Sequence, residues 1–341
     1  MEQEYAKHST NKERNMMIYK AIRVLCCLAI LPNAVMAKFE TRENNTTVSD
    51  GSTLFHCVDL SSNTYAAPPA LAPDPATVEA ETFPALCPDG QVPQPQDWFG
   101  PKGRLIPSSG KSPDMHQTTQ LPGGLFYLYN AAYQYYNAAG TSASFTQNLP
   151  ALATSDYHTL AEIAVESSDG RQIVEIGWTV DRGLNGGSAT PHLFTFHWVN
   201  GNATCYNGCG YVQVSKTRHP GMAVSVTQTP QQYAIRYYLG KWWIGYQGEW
   251  IGYFPGSLWG GTYTHAGLTQ WFGEVAAGKA SPCTDMGNRV FGTNANAAAI
   301  SNIRFMGGAY ATLHFIITNS SYYNVGGISG PKFHYGGPGA C

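Results

Sequence analysis

Two glutamates of this chain lie in the middle of apolar, strand-like segments, where a carboxylate is costly unless it has a partner or a proton. Glu175 lies in IVEIGWTV (173–180) and Glu274 in QWFGEVA (270–276). Two nearby carboxyl groups, one ionised and one protonated, can activate a water molecule and protonate a leaving group. These residues therefore predict a hydrolase site in which both glutamates face one water, on neighbouring strands of an open cleft.

Side-chain alternation separates Glu175 from the core face of its own strand. The apolar residues from Val174 to Val180 share one face, whereas Glu175, Gly177 and Thr179 project from the other. A glycine beside a carboxylate leaves space for another chain to approach. We expect this strand to be the floor of a groove. The candidate substrate contacts are Gly177, Trp178, Thr179, Trp242, Tyr253 and Phe272.

The other glutamates of this region are weaker candidates. Glu166 and Glu249 lie beside turn sequences, where we expect them to be solvated, and Glu162 lies at the start of a strand. A structural role is the alternative for Glu175 and Glu274, since a strand glutamate is commonly exposed or paired with a lysine or arginine of a neighbouring strand.

Other catalytic signatures are absent from the sequence. It contains no Gly-x-Ser-x-Gly, no His-Glu-x-x-His and no phosphate-binding loop. His192 and His197 are on opposite faces of one predicted strand, so they do not form a metal pair. We therefore predict no metal and no cofactor.

The N-terminus has the pattern of an export signal. Basic residues precede the apolar run 24–30, and small residues follow at 34–37. We interpret residues 1–37 as a signal peptide and expect a secreted protein, extracellular or periplasmic. A membrane anchor is the alternative, although the apolar run is too short to span a bilayer as a helix.

Cleavage after Ala37 would remove two of the eight cysteines and leave an even number. An even count in an exported chain indicates disulfides, although sequence alone leaves the pairing open. Proximity along the chain favours the pairs Cys57–Cys87, Cys205–Cys209 and Cys283–Cys341.

Composition indicates an all-β protein. Of 341 residues only 12% are charged, 13% are aromatic and 37 are glycine, and the net charge of -2 gives no reason to expect a nucleic-acid partner. Many short strand-like runs with turn residues between them predict an antiparallel sandwich or barrel over residues 116–341. Residues 38–115 are rich in Pro and Ala, and we interpret them as an irregular activation segment and linker.

The ordered motifs resemble the neprosin-domain family. VEIGWTV at 174–180, CYNGCGYVQ at 205–213, KWWI at 241–244 and WFGEV at 271–275 occur in the family's order. The N-terminal CPDGQVP at 87–93 is similar to its activation-segment motif.

This resemblance implies a secreted zymogen with an antiparallel β-sandwich of two packed sheets, of the lectin or glucanase type. It also implies an acid-acting glutamic peptidase that uses Glu175 and Glu274, with cleavage after proline as in the plant digestive enzyme. Plant members tend to have Gln where this chain has Glu162, which adds a carboxylate near the cleft. Where the family pattern has Gly, this chain has the bulkier Phe272.

Two other functions compete with a peptidase. Glycoside hydrolases also use paired carboxylates, and a non-catalytic β-sandwich could bind carbohydrate or peptide. The motif series favours the peptidase, with protein or peptide substrates and the chain's own propeptide as an intramolecular inhibitor. We expect a monomer.

Overall fold

Strands account for nearly all regular structure in this chain, as its composition predicts. The computed structural model describes residues 46–49, 51, 53–60, 66–71, 81–104, 119–121 (backbone only) and 124–341. The proposed signal peptide, residues 1–37, lies outside the described residues. The strands in chain order are β1 Thr46–Ser49, β2 Leu54–Asp59, β3 Gln91–Pro95, β4 Thr119–Leu121, β5 Leu125–Ala138, β6 Gly140–Gln147, β7 His158–Glu166, β8 Ile173–Val180, β9 His192–Val199, β10 Asn202–Ala203, β11 Val212–Gln213, β12 Thr227–Tyr238, β13 Lys241–Tyr246, β14 Glu249–Pro255, β15 Ala266–Ala277, β16 Ala298–Phe305, β17 His314–Ile317, β18 Asn324–Gly326 and β19 Phe333–Gly336.

Two large antiparallel sheets pack face to face and confirm the β-sandwich. Sheet I has the order β10-β9-β8-β7-β15-β5-β17, with β4 beside β5. Sheet II has the order β11-β14-β13-β12-β6-β16-β19-β18. Their facing sides form one apolar core, in which Trp178 and Trp271 of sheet I join Phe145, Trp242 and Ile300 of sheet II. The outer face of sheet I takes no part in this core and carries a different set of side chains.

The N-terminal segment is more regular than its composition predicts. Strands β1, β2 and β3 form a small antiparallel sheet, and Gln94 of β3 hydrogen-bonds the backbone of Tyr211 and Gln213. Pro93 and Pro95 of this strand fit its edge position, because proline cannot donate to an inner ladder.

All three predicted disulfides are present. Cys57 pairs with Cys87, Cys205 with Cys209, and Cys283 with Cys341. The first closes a loop in the N-terminal segment, the second closes the turn after β10, and the third holds the C-terminal residue.

Several strand boundaries agree with the alternation of the sequence, and others do not. The strand at 173–180 has the predicted limits, as do those at 192–199 and 241–246. Residues 222–227 were expected in a strand, but Thr227 instead begins β12 and the residues before it make an isolated bridge at Ala223 to His192. Strand β6, GTSASFTQ, was not predicted because its small polar residues carry little strand preference, yet it is buried throughout at the centre of sheet II.

Helical structure in the described residues is limited to short turns such as the 3-10 helix Gly256–Trp259. No helix of this part of the chain has the length and apolar content needed to cross a membrane.

Candidate active site

Four glutamates lie on the outer face of sheet I, here called the site face, and three of them form one cluster. The fourth, Glu166 of β7, was expected to be solvated but is buried. Glu175 lies on β8, Glu274 on β15 and Glu162 on β7, which runs between the other two strands. Glu175 and Glu274 therefore do not lie on neighbouring strands, contrary to the expectation from sequence. All three carboxylates are buried, with 0% to 2% exposure.

Strand register places Glu162 between the other two carboxylates. Glu175 is opposite Ala164 of β7, and Glu274 is opposite Leu160 of the same strand. Glu162 lies midway between those two positions and points to the same face, because side chains alternate along a strand. Sequence reasoning ranked this residue too low, since it placed the start of the strand too late.

Gly177 allows β7 and β8 to pack closely at this point. It is opposite Glu162, and a side chain at position 177 would place its Cβ 2.1 Å from the carbonyl oxygen of Ala161 and 2.7 Å from the Cβ of Glu162. The glycine therefore serves the contact between two strands of the site, where the sequence had suggested room for a substrate.

A lysine from the N-terminal segment enters this cluster. The Lys102 ammonium Nζ lies 2.6 Å from Glu162 Oε2 and 3.3 Å from Glu175 Oε2, and its side chain is fully buried. Nζ also lies over the ring of Phe194, 5.3 Å from its centroid. A cation thus occupies the space that the three carboxylates surround.

Electrostatics in the cluster favours a charged Lys102 and raises the pKa values of Glu162 and Glu175. Burial acts to lower the pKa of Lys102, but Glu162, Glu175 and Glu274 outweigh burial and raise it above its ordinary value. Burial raises the pKa of Glu162 well above normal, and the charge of Glu175 adds to this while Lys102 opposes it. Burial likewise raises the pKa of Glu175, against the opposing effect of Lys102. Carboxyl groups whose pKa values are raised in this way are suited to acid–base chemistry.

The covering segment, residues 98–104, holds Lys102 in place. Trp98 exchanges backbone hydrogen bonds with Tyr206, at 3.3 and 2.8 Å. Gly103 packs so closely on the site face that an added Cβ would lie 2.2 Å from the ring of Tyr127 and 2.6 Å from the hydroxyl of Tyr129. The predicted open cleft is therefore closed in this form of the chain.

Glu274 has a different set of partners from Glu175. His158 Nε2 lies 2.6 Å from Glu274 Oε1, and burial together with the charge of Glu274 raises the pKa of Tyr129. Glu175 Oε1 instead accepts a hydrogen bond of 3.0 Å from the indole of Trp198. The two glutamates therefore have distinct environments, which is the usual basis for giving two carboxyl groups different roles.

Glu162 Oε1 and Glu274 Oε2 have no hydrogen-bond partner among the described residues, and the partner of Glu175 Oε2 is the Lys102 ammonium at 3.3 Å. Buried polar atoms without partners are rare and commonly mark functional sites. Once Lys102 is displaced, these oxygens are available to a water molecule and a substrate amide.

The predicted substrate contacts divide between three locations. Gly177, Thr179 and Phe272 point to the site face, and Phe272 packs edge-on against Tyr129. Trp178 and Trp242 lie in the core, where their indoles donate to the carbonyl groups of Thr146 and Tyr263. Tyr253 lies on the far face of sheet II beside Trp243. The structure does not bring these last three aromatic residues to the glutamates.

Residues that the sequence analysis missed include Lys102 and His158. Alternation along HTLAEIAVE would have placed His158 on the same face as Glu162, had the strand been started at 158. Lys102 lies in a segment rich in Gly and Pro that has no period, so no local pattern indicates its position.

Comparisons with known proteins identify the family of this chain. The family model Neprosin matches residues 155–338, more than half of the 341 residues. A scytalido-glutamic peptidase with a transition state analog inhibitor is 11% identical and covers 62% of this chain and 98% of its own, with a TM-score of 0.39. SCP-B, of the Eqolisin family of peptidases, has the same identity and coverage with a TM-score of 0.35. Apo Crh5 transglycosylase is 15% identical over 63% of this chain and 70% of its own, with a TM-score of 0.27.

Replacing the buried lysine should destabilise the protein most at neutral pH. Lys102→Met leaves Glu162 and Glu175 without their cation, which should lower the free energy of unfolding by about 3–5 kcal/mol at pH 7. A carboxyl group whose pKa is raised on folding stabilises the protein below about pH 4 and loses that contribution as pH rises. The difference from wild type should therefore shrink toward pH 4.

Urea unfolding of both proteins at pH 7 and pH 4 measures this. Lys216→Met is the matched control, because Lys216 is exposed. An equal loss of stability at both pH values would contradict the assigned ion pairs.

Proposed function

The chain belongs to the Neprosin family of glutamic peptidases, and we propose that it hydrolyses peptide bonds with Glu175 and Glu274 acting on one water molecule. The observation that carries this proposal is the site face itself. Both glutamates are buried there, Glu274 Oε2 has no hydrogen-bond partner among the described residues, and the partners of the two glutamates differ. A structural pair of glutamates would be expected to have all its oxygens satisfied.

Hydrolysis needs one ionised and one protonated carboxyl group. The ionised group takes a proton from water as the water oxygen bonds to the amide carbon, while the protonated group transfers its proton to the carbonyl oxygen. When the carbon–nitrogen bond breaks, the first group gives its proton to the leaving nitrogen and the second recovers its own. Like charges in one site favour this singly protonated state. Activity should therefore be greatest in acid.

We also propose that the full-length chain is a zymogen with an inhibitory N-terminal segment. Support comes from Lys102, which occupies the space between the carboxylates, and from the close packing of Gly103 on Tyr127 and Tyr129. Burial raises the pKa values of Glu162 and Glu175, so both take up protons at a higher pH than ordinary glutamates. Acid would then remove the anionic partners of Lys102 and release the segment.

Secretion is part of the same proposal. Three disulfides form readily in an oxidising compartment and are rare in the cytosol. We also propose a protein or peptide substrate and a monomeric enzyme that uses no metal.

The substrate preference that we propose is proline next to the scissile bond. The family resemblance suggests it, and Phe194, Phe196 and Tyr206 give the site face aromatic surfaces that suit a pyrrolidine ring. In the covering segment Pro101 directly precedes Lys102, and its carbonyl accepts a hydrogen bond of 3.3 Å from the Tyr206 hydroxyl.

Digestion of a proteome-derived peptide library at acid pH measures this preference directly. Cleavage sites should be enriched in proline on one side of the broken bond, because aromatic faces bind a flat, rigid ring well. A site profile with no enrichment of proline would reject the preference and leave the peptidase assignment intact.

Removing the charge of either glutamate should abolish most turnover. Glu175→Gln and Glu274→Gln keep size and hydrogen bonding but cannot exchange protons, so each should lose at least ~100-fold in kcat. The double variant should be little worse than either single one, since groups that act as a unit are not additive. The assay is acid incubation with casein and, in parallel, with a panel of polysaccharides.

Glu249→Gln is the control for these variants. Glu249 pairs with Arg218 at the edge of sheet II and is partly exposed, so this variant should retain normal turnover. Glu162, in contrast, is part of the buried cluster and cannot serve as a control. A folded Glu175→Gln or Glu274→Gln protein with near-normal kcat would eliminate the proposed pair, and turnover of a polysaccharide would point to a glycoside hydrolase.

A further inference from the structure

The far face of sheet II carries aromatic side chains that the proposed peptidase site does not use. Trp243, Trp250 and Tyr253 form an apolar cluster there, and each is at most 9% exposed. The Lys241 ammonium lies over the ring of Tyr253, 5.5 Å from its centroid. Large aromatic side chains on the outside of a sheet are normally covered by a partner, so the identity of that partner is informative.

A short proline-containing stretch of the same chain covers part of this cluster. We call residues 66–71, with the sequence AAPPAL, the proline strap. Pro68 is buried, and Leu71 packs against the aromatic cluster. The indole Nε1 of Trp250 donates a hydrogen bond of 3.2 Å to the carbonyl oxygen of Pro69. Apolar side chains and one backbone carbonyl group therefore hold the strap on the sheet.

Gly245 of β13 allows the proline strap to lie close to the sheet. A side chain at position 245 would place its Cβ 2.8 Å from Cδ1 of Leu71 and 3.1 Å from the indole ring of Trp250. The far face therefore has a groove at this point, with the backbone of β13 as its floor and the indole of Trp250 as one wall.

Extended proline-rich chains suit a groove of this kind. Proline has a fixed φ and favours the polyproline II conformation, which has no internal hydrogen bonds and leaves its carbonyl groups available to donors. Grooves lined by aromatic side chains bind such chains by packing against the rings of the prolines and by donating to their carbonyl groups. The contact between Trp250 and Pro69 has this form.

The proline strap leaves part of the far face unused. Trp243 is 0% exposed, and its indole Nε1 has no hydrogen-bond partner among the described residues. A cavity of about 300 Å³ lies beside the C-terminal end of the strap, and its lining includes Leu71, Ser142, Arg236, Arg304 and Met306. The face therefore has a donor and a volume that a longer or differently placed ligand could use.

The lining of this cavity indicates the charge of its ligand. Two arginines and no acidic side chain border it within the part of the chain that the structure describes. The Nε of Arg236 has no hydrogen-bond partner among those residues. An acidic residue that follows a proline run would bring a carboxylate toward Arg236. The sequence after the strap has this order, since APD follows Leu71 at 72–74.

We propose that the far face of sheet II is a binding site for extended, proline-rich peptide segments that are followed by an acidic residue. The proline strap occupies this site in the full-length chain, and a segment of a protein substrate occupies it once the strap has left. The binding itself is independent of the proposed peptidase function, whereas the identification of the ligand as a substrate rests on it. A second contact outside the catalytic site raises the effective concentration of a long substrate at the glutamates.

Peptide binding to the full chain tests the site. The probe is a fluorescent synthetic peptide of residues 64–74, TYAAPPALAPD, followed by anisotropy at pH 7. The protein is the full chain with Pro68→Gly, Pro69→Gly and Leu71→Ser, which weaken the strap, and with Glu175→Gln to prevent cleavage. The peptide should bind this protein at least about tenfold more tightly than it binds Glu175→Gln alone, in which the intact strap competes at high effective concentration.

A matched peptide with glycine in place of both prolines measures the contribution of the polyproline conformation. It should bind at least about tenfold more weakly, because it loses the rings that pack on the indole and must be ordered on binding. Equal affinity for the two peptides, or no binding to the protein with the weakened strap, would overturn the proposed site.

Substitutions on the far face locate the bound peptide. In the protein with the weakened strap, Trp250→Leu should weaken binding by at least about tenfold, because it removes an aromatic wall and its donor. Trp250→Phe should weaken binding less, and it decides the point if Trp250→Leu does not fold. Ile328→Ala is the control, since Ile328 is exposed beyond β18 at the opposite edge of sheet II. Unchanged affinity in the Trp250 variants would overturn the site.

The acidic residue of the ligand has its own test. Asparagine in place of the aspartate of the peptide should weaken binding about threefold or more, and this difference should disappear in Arg236→Gln, because coupled groups are not additive. A difference of the same size in both proteins would overturn the pairing of this residue with Arg236.

Turnover tests whether the ligand is a substrate. Two protein substrates would share one cleavable sequence and differ in a linked segment, AAPPALAPD in one and AAGGALAPD in the other. Acid-treated wild type should favour the first by at least about fivefold in kcat/KM, through KM, and Trp250→Leu should lose this preference. Equal kcat/KM in wild type would overturn the substrate as the ligand. No turnover of either substrate would reject the proposed function and the substrate role with it, while peptide binding decides the site separately.

Discussion

The ammonium group of Lys102 between buried carboxylates is the interaction on which this form of the site depends. Taking a carboxylate out of water costs several kcal/mol unless a cation or hydrogen bonds replace the solvent. Here Glu162 and Glu175 share one cation at 2.6 and 3.3 Å, and Glu274 relies on His158. Removing a single partner leaves uncompensated charge in a closed site, so the covering segment and the carboxylates are energetically coupled.

The sandwich makes such a cluster possible because the two faces of sheet I have different roles. The inner face carries the apolar core that it shares with sheet II, and this core stabilises strands whose outer faces bear acids. Because β7 lies between β8 and β15, the outer face presents three glutamates in a row where two were expected. Rigid central strands hold these side chains, whereas the covering segment contributes Lys102 from a region rich in Gly and Pro.

Much of the fold could be predicted from local pattern. Alternation identified β8, β9 and β13 with their observed limits, and cysteine spacing predicted all three disulfides. Strand β6 could not be predicted, since its Ser, Thr and Ala residues are buried by sheet packing and have weak preferences of their own.

Only part of the candidate site could be predicted from local sequence pattern. Glu175 and Glu274 stood out because each interrupts an apolar strand. Their separation by β7 depends on the order of strands in the sheet. Strand order is a long-range property, and the alternation of residues within one strand does not determine it. Lys102 enters the site from the covering segment, and only the three-dimensional structure brings it to the glutamates.

Hydrogen exchange in the covering segment tests most directly whether the Lys102 ion pairs hold the site closed. The amides of residues 98–104 would be followed by mass spectrometry in the intact chain, for wild type, Lys102→Met and the control Lys216→Met. At pH 7 these amides should exchange at least about tenfold faster in Lys102→Met than in wild type, because a buried pair of this kind contributes several kcal/mol. At pH 4 the two proteins should converge, as the glutamates take up protons. Equal protection of the segment in wild type and Lys102→Met at pH 7 would contradict the account.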